Sequence, residues 1–122
     1  MRNAEREFIL NDVESLAAHH PDTFRIPSRE MRDRLCPGDL VKLHFRHVET
    51  GHVERMWVET RAVGPLGYEG VLDNDPTRPM GIVAGEPVGF LPEHVGSIWI
   101  ESDHNWGARI ALPPHAFWNV EG

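Results

Sequence analysis

The sequence predicts an α+β fold, and three observations carry that reading. Residues 1–38 space their apolar side chains at helical intervals, from Asp39 the spacing changes to alternation, and the alternating part is cut into short runs by Gly, Pro, Asn and Asp. A chain of 122 residues suits one domain with a modest core, since a chain of this size hides roughly two thirds of the surface its unfolded form exposes. The expected division is a helical segment over 1–38, a β core over 39–101 and a C-terminal strand and tail over 102–122.

Residues Asn3 to Ala18 read as one amphipathic helix. Ile9, Val13, Leu16 and Ala17 share a stripe, while Glu5, Arg6, Asp12 and Glu14 fall largely outside it. Asn3 is placed to cap it, and His19-His20-Pro21 is placed to stop it. The paired histidines stand where a helix end presents bare carbonyls, which favours capping over metal binding. A shorter second helix is expected from Ser28, with Glu30 in its first turn, ending by Cys36-Pro37-Gly38. Phe24 and Ile26 pin the connection between the two.

From Asp39 onward, Val41, Leu43 and Phe45 face one way and Lys42, His44 and Arg46 the other, the pattern of a strand covered on one side. Glu49-Thr50-Gly51 makes a hairpin turn. The return strand places Met56, Val58 and Ala62 inward, with Arg55, Trp57, Glu59 and Arg61 outward. Gly64-Pro65-Leu66-Gly67 turns the chain into a third strand, Tyr68 to Leu72. Asn74, Asp75 and Pro76 then force the chain out of the sheet, because Pro lacks a donor and Asn and Asp side chains bond nearby backbone. A fourth strand runs through Val88 and Phe90, a Pro92-Glu93-His94 turn leads to a fifth over Val95 to Ile100, and a sixth is expected over Arg109 to Leu112. Five or six short strands with tight hairpins and a one-turn link suggest a small antiparallel SH3-like barrel or a strongly bent sheet, with the helices packed on it.

Composition narrows the function. The formal charge of −7 argues against a phosphate-backbone binder and points to neutral or basic partners, which makes nucleic acid an unfavoured partner. Cys36 is the only cysteine, so an intrachain disulfide or a thiolate zinc cluster is ruled out and a reducing compartment fits. The charged stretch Arg2 to Glu7 lacks the apolar core of a signal peptide, and no run approaches the apolar length that spans a bilayer. A cytoplasmic protein with no membrane partner is the expectation.

Several constellations merit weighing as chemistry. His44, His47 and His52, with Glu49 and Glu54 close by, are the candidate metal ligands, since imidazole binds zinc, copper or nickel and a hairpin brings strand ends together. Against this, His44 and His47 have opposite parity on a strand, so they share a face only if the turn begins at His47. Asp73, Asn74 and Asp75 lack the distant bidentate glutamate of a calcium loop, and a turn held by its own side chains is the favoured reading. Cys36 reads as a small apolar core group, and Ser97 lacks the glycine two residues on that a nucleophile elbow needs. No catalytic residue and no cofactor is assigned. Trp57, Trp106 and Trp118 are the candidate partner-binding residues, because protein interfaces favour tryptophan in their buried centres.

Arg55-Met56-Trp57-Val58, the strand Gly70-Val71-Leu72, the turn Asn74-Asp75-Pro76, Gly85 with Val88 and Phe90, and Trp99 together resemble the DUF2314 family over roughly residues 40–100. Where that family carries an acidic residue immediately before the late tryptophan, this chain has Ile98. The resemblance implies a bacterial origin and a small domain, and brings no catalytic residue. Small domains of this sort among bacterial immunity proteins add a lean toward protein binding.

The resulting expectation is a non-enzymatic protein-binding module of the immunity or inhibitor type, with a protein partner or a second copy of itself, using an acidic surface and exposed tryptophans. The alternative is a metal-dependent or small-ligand enzyme built on His44, His47 and His52. A nucleic-acid-binding small barrel is a further alternative, and would need Arg29, Arg32, Arg34, Arg55 and Arg61 gathered on one side.

Overall fold

The computed structural model describes residues 6–99. In order, the elements are strand β1 (Phe8–Leu10), helix α1 (Val13–His19), helix α2 (Arg29–Arg32), strands β2 (Leu40–His47), β3 (Val53–Gly64), β4 (Gly67–Leu72) and β5 (Pro87–Phe90), a 3-10 turn (Pro92–His94) and strand β6 (Val95–Ile98). All strand pairings are antiparallel and follow the path β1-β2-β3-β4-β5, with β6 also on β2. The sheet curls strongly into a half-barrel. This is the α+β class that the change of periodicity at Asp39 predicts, in its bent-sheet form. The sixth strand expected over Arg109 to Leu112 lies outside the described residues.

Alternation sets the inner face of the half-barrel. Val41, Leu43 and Phe45 of β2 are fully buried opposite Val58, Met56 and Glu54 of β3. Tyr68 and Leu72 of β4 and Val88 and Phe90 of β5 continue that layer, with the Tyr68 and Phe90 rings stacked at 5.2 Å. The long connection between the paired strands β4 and β5 adds Met80 and Ile82 to the core, both nearly inaccessible. A close approach of strands makes glycine necessary at position 70, where a Cβ would meet the Glu59 carbonyl oxygen at 2.5 Å and a Val58 methyl at 2.6 Å.

Two expectations are corrected. The helix expected over Asn3 to Ala18 begins only at Val13, capped by Asp12, whose Oδ1 accepts from the Ser15 amide at 2.9 Å; the proposed cap Asn3 lies outside the described residues. Upstream, Phe8–Leu10 forms β1, because β6 covers β2 only along Val41–Leu43 and the Phe45–His47 stretch needs a second partner. Phe8 turns into the core edge-on to Phe45 at 4.9 Å, while Ile9 is exposed, so the apolar stripe through Ile9 was a coincidence of spacing. In β3 the register shifts between Thr60 and Ala62, leaving Arg61 as an extra residue. Thr60 keeps the inward parity of Met56 and Val58, the bulge after it turns Ala62 outward, and Val63 resumes contact with the core.

The helices are fastened by a buried arginine. Ser28 caps α2 as expected, and Arg32 at its end is only 4% exposed. Its guanidinium donates Nε to the Pro27 carbonyl (2.8 Å), Nη1 to the Pro92 carbonyl (3.0 Å) and Nη2 to Glu14 of α1 (3.2 Å). The Tyr68 hydroxyl donates to the Arg32 carbonyl at 2.8 Å, which joins α2 to β4. Arg29 adds bonds to Glu14 and Asp33 at the surface. At the end of α1, the His19 ring bonds the Ser15 carbonyl at 2.8 Å, the capping role its position predicts.

Two stability measurements follow. Gly70→Ala drives a methyl into backbone, and urea unfolding should show a loss of ~1–3 kcal/mol. Arg32→Ala takes the Nε donor from the part-buried Pro27 carbonyl and leaves the buried Pro92 carbonyl with the Val95 amide alone, and the same measurement should show a loss of ~1–3 kcal/mol.

Candidate functional site

The three histidines proposed as metal ligands do not come together. His44 faces outward on β2 yet is buried, with its ring edge-on to Phe24 at 5.8 Å. Gly96 of β6 lies so close that a Cβ there would sit 2.9 Å from His44 Nε2. Burial, then the nearby cations Arg55 and Lys42, hold the His44 imidazole below its ordinary range. His47 and His52 sit on the inner side, where they close the β2–β3 hairpin through His47 N–H to the His52 carbonyl at 2.8 Å. His47 Nδ1 accepts from the Glu49 and Thr50 amides, which fixes Nε2 as the donor to Glu7 at 3.2 Å. That tautomer consumes the lone pair a metal would need.

His47 and His52 do share a cleft of about 230 Å³ with Glu7, Thr50, Arg78 and Pro79, at the open end of the half-barrel. Behind it lies Glu54, whose Oε2 accepts from the amide and the hydroxyl of Thr77, both at 2.6 Å. Its burial works to raise its pKa, but the Thr77 bonds and the neighbouring His52 outweigh that and hold it below the usual carboxylate range. Glu54 Oε1 and His52 Nε2 are both shielded and lack hydrogen-bond partners, 3.9 Å apart. Among the described residues, no three His, Cys, Asp or Glu side chains gather closely enough to hold a metal ion.

A larger, shallow groove of about 640 Å³ runs along the β3–β4 turn and the end of β5, lined by Val63, Pro65, Leu66, Tyr68, Phe90 and Leu91 among others. Its titratable lining residues besides Tyr68 are Glu69 and His94. His94 Nδ1 accepts from the Leu91 amide at 3.0 Å, and burial, only partly opposed by Glu93 and Asp12, keeps its pKa below the ordinary range. Burial likewise pushes the Tyr68 hydroxyl up, out of reach of acid–base work near neutrality.

The outer face of β2 and β3 holds Trp57, one of the three tryptophans proposed as partner-binding, and brings Trp99 beside it. Antiparallel register sets Lys42 opposite Trp57 and His44 opposite Arg55. The Lys42 ammonium lies 4.7 Å from the centre of the Trp57 ring, and Trp99, placed by its amide on the Leu40 carbonyl, meets Trp57 edge to face at 6.2 Å. Trp57 is half-buried and Trp99 is 50% exposed. Phe24 covers the His44 end of this face, and the main helix contacts run to β6 and the 3-10 turn. Trp106 and Trp118 lie outside the described residues.

The Asn74-Asp75-Pro76 turn is fastened differently from the sequence reading. Asn74 Oδ1 accepts from the Trp57 amide at 2.6 Å, and the Asp73 amide donates to the Trp57 carbonyl at 2.9 Å. The turn is thus bonded to strand β3. The arginines proposed for nucleic-acid binding are dispersed: Arg29, Arg32 and Arg34 are tied into the helical segment, and Arg61 bonds Glu59 at 3.3 Å. No described helix is long and apolar enough to cross a membrane. Comparisons with protein-family models, curated proteins and solved structures found no match for the chain.

The two depressed histidines set a pH dependence. His44 and His94 bind a proton more weakly in the folded chain than in the unfolded one, whose value is the ordinary 6.5. The unfolded state therefore takes up more protons as pH falls through and below that value, and stability, complete above it, declines. Urea midpoints should drop between pH 7 and pH 5, and His44→Leu should flatten part of that slope.

Proposed function

We propose that this chain is a non-enzymatic protein-binding module of the immunity or inhibitor type, and that its contact surface is the outer face of β2 and β3 around Trp57 and Trp99. One observation carries the reading: two tryptophans held edge to face at 6.2 Å, one of them 50% exposed, on the side of the sheet away from the core. Large rings fixed by a sheet lose little side-chain freedom on binding, so they contribute more to association than flexible apolar side chains of equal area. The backbone behind them is braced by Asn74, which supports a role as a rigid platform. That bond also links two of the segments on which the proposed kinship with the DUF2314 family rests. The partner is a protein, with a second copy of the chain as one candidate, in a cytoplasmic setting that suits the lone Cys36.

A second reading draws on the unpartnered His52 and Glu54 atoms, which suit a small-ligand or metal-assisted enzyme at the open end of the half-barrel. It requires donors beyond the two that face each other.

Sedimentation and affinity capture test the first reading. The wild-type chain should associate, with itself or with one retained protein, and Trp57→Ala should weaken that association at least about 10-fold while the far-UV spectrum stays unchanged. Association indifferent to Trp57 and Trp99 would remove the proposed surface. Titration with zinc followed by elemental analysis checks the second reading, where a stoichiometric ion lost in Glu54→Gln is the supporting result.

A further inference from the structure

We propose that the surface around Trp57 and Trp99 takes an anionic partner, an acidic segment of a protein whose carboxylates meet Lys42 and Arg55 while an apolar side chain packs on the tryptophan pair. The proposal rests on the protein-binding reading and names the partner's chemistry, which the acidity of the whole chain would not suggest. Because Lys42 pairs with Trp57 and His44 with Arg55, the single lysine of the chain, an exposed arginine and both rings occupy one continuous patch. The depressed imidazole of buried His44 senses the same local field, with Arg55 and Lys42 both acting on it after desolvation.

The charges there are available. Arg29 and Arg32 are spent on Glu14, Arg61 on Glu59, and Arg46 on the Asn11 side chain at 3.1 Å. Among the described residues, neither Lys42 nor Arg55 has a carboxylate within ion-pair distance. Glu59, the acid that follows Trp57 on this face of β3, already takes Arg61 at 3.3 Å and so does little to offset Lys42 and Arg55. The Trp57 ring meanwhile holds the Lys42 ammonium in place at 4.7 Å, so a carboxylate meets a cation that is already positioned. Apolar packing beside these groups excludes water, which strengthens the attraction.

An acidic peptide fits better than a nucleic acid. Two available cations neutralise few phosphates, so little counterion is released, and a formal charge of −7 repels a long polyanion at a distance. A short segment with a few carboxylates and one apolar anchor matches both the two cations and the aromatic platform.

Fluorescence polarisation with labelled synthetic peptides of equal length tests this, with Glu, Ser or Lys alternating with Leu, beside an oligothymidylate. The Glu–Leu peptide should bind most tightly, and added salt should weaken it. Lys42→Gln and Arg55→Gln should each weaken it roughly 2- to 5-fold. The double variant Lys42→Glu with Arg55→Glu should transfer the preference to the Lys–Leu peptide. If the Ser–Leu or Lys–Leu peptide binds as well as the Glu–Leu peptide, and does so through Trp57, the protein-binding reading stands and the anionic partner falls. If the Glu–Leu peptide fails to bind at millimolar concentration, the anionic partner falls, and Trp57-dependent self-association then decides the other reading. Tighter binding of the oligothymidylate would replace the acidic protein with single-stranded nucleic acid.

Discussion

Strand β2 has both edges occupied along its length, and the rest of the molecule is arranged to satisfy it. β3 fills one edge from Leu40 to Arg46. The other edge is divided: β6 takes Val41 to Leu43, then β1 takes Phe45 to His47. A central strand with unpaired amides in the interior would cost the full desolvation of each group, so two chain segments distant in sequence are drawn to one line. The Asn11 amide bonds the His44 carbonyl between them at 3.0 Å, and the Trp99 amide bonds the Leu40 carbonyl at 2.8 Å.

The helical segment is too short to be stable alone, since seven- and four-residue helices fall well below the length at which isolated helices persist in water. Its order comes from side chains that reach the sheet. Arg32 buries a cation, which is costly, but meets it with two carbonyls and a carboxylate, while its own carbonyl receives the Tyr68 hydroxyl. The arginine is therefore a structural cross-brace, and the chain's basic residues cannot be read as one surface.

Much of the β architecture was legible because side-chain direction in a strand depends on parity alone. Val41, Leu43 and Phe45 could be assigned to the core before anything was known of their neighbours. Glu49-Thr50-Gly51 and Gly64-Pro65-Leu66-Gly67 carry turn chemistry in their own residues, as does Ser28 at its helix. What escaped were features decided by partners far along the chain. Phe8–Leu10 became a strand because β2 had a vacant stretch of edge, which no local window reveals. The bulge at Arg61 reversed the parity of Ala62 with no glycine to announce it. Asn74 bonds Trp57, seventeen positions back, where local turn chemistry would have kept it at home. Net charge, which averages over the whole surface, likewise could not show that Lys42 and Arg55 are gathered beside Trp57. Parity did foresee that His44 and His47 part company, and the tautomer of His47 is fixed by turn amides whose geometry exists only after folding.

The bond from the Trp57 backbone amide to Asn74 ties the residue that carries the outward indole to the long excursion between β4 and β5. That excursion is held again by Thr77 on Glu54 and by the Met80 carbonyl, which accepts from the Glu7 amide at 3.3 Å. Because one residue supplies both the amide that anchors the excursion and the chromophore that faces outward, any loosening of the anchor reaches the ring. The protein thus carries a built-in optical gauge: emission from this indole registers both a partner arriving at the ring and a release of the excursion from the β3 backbone.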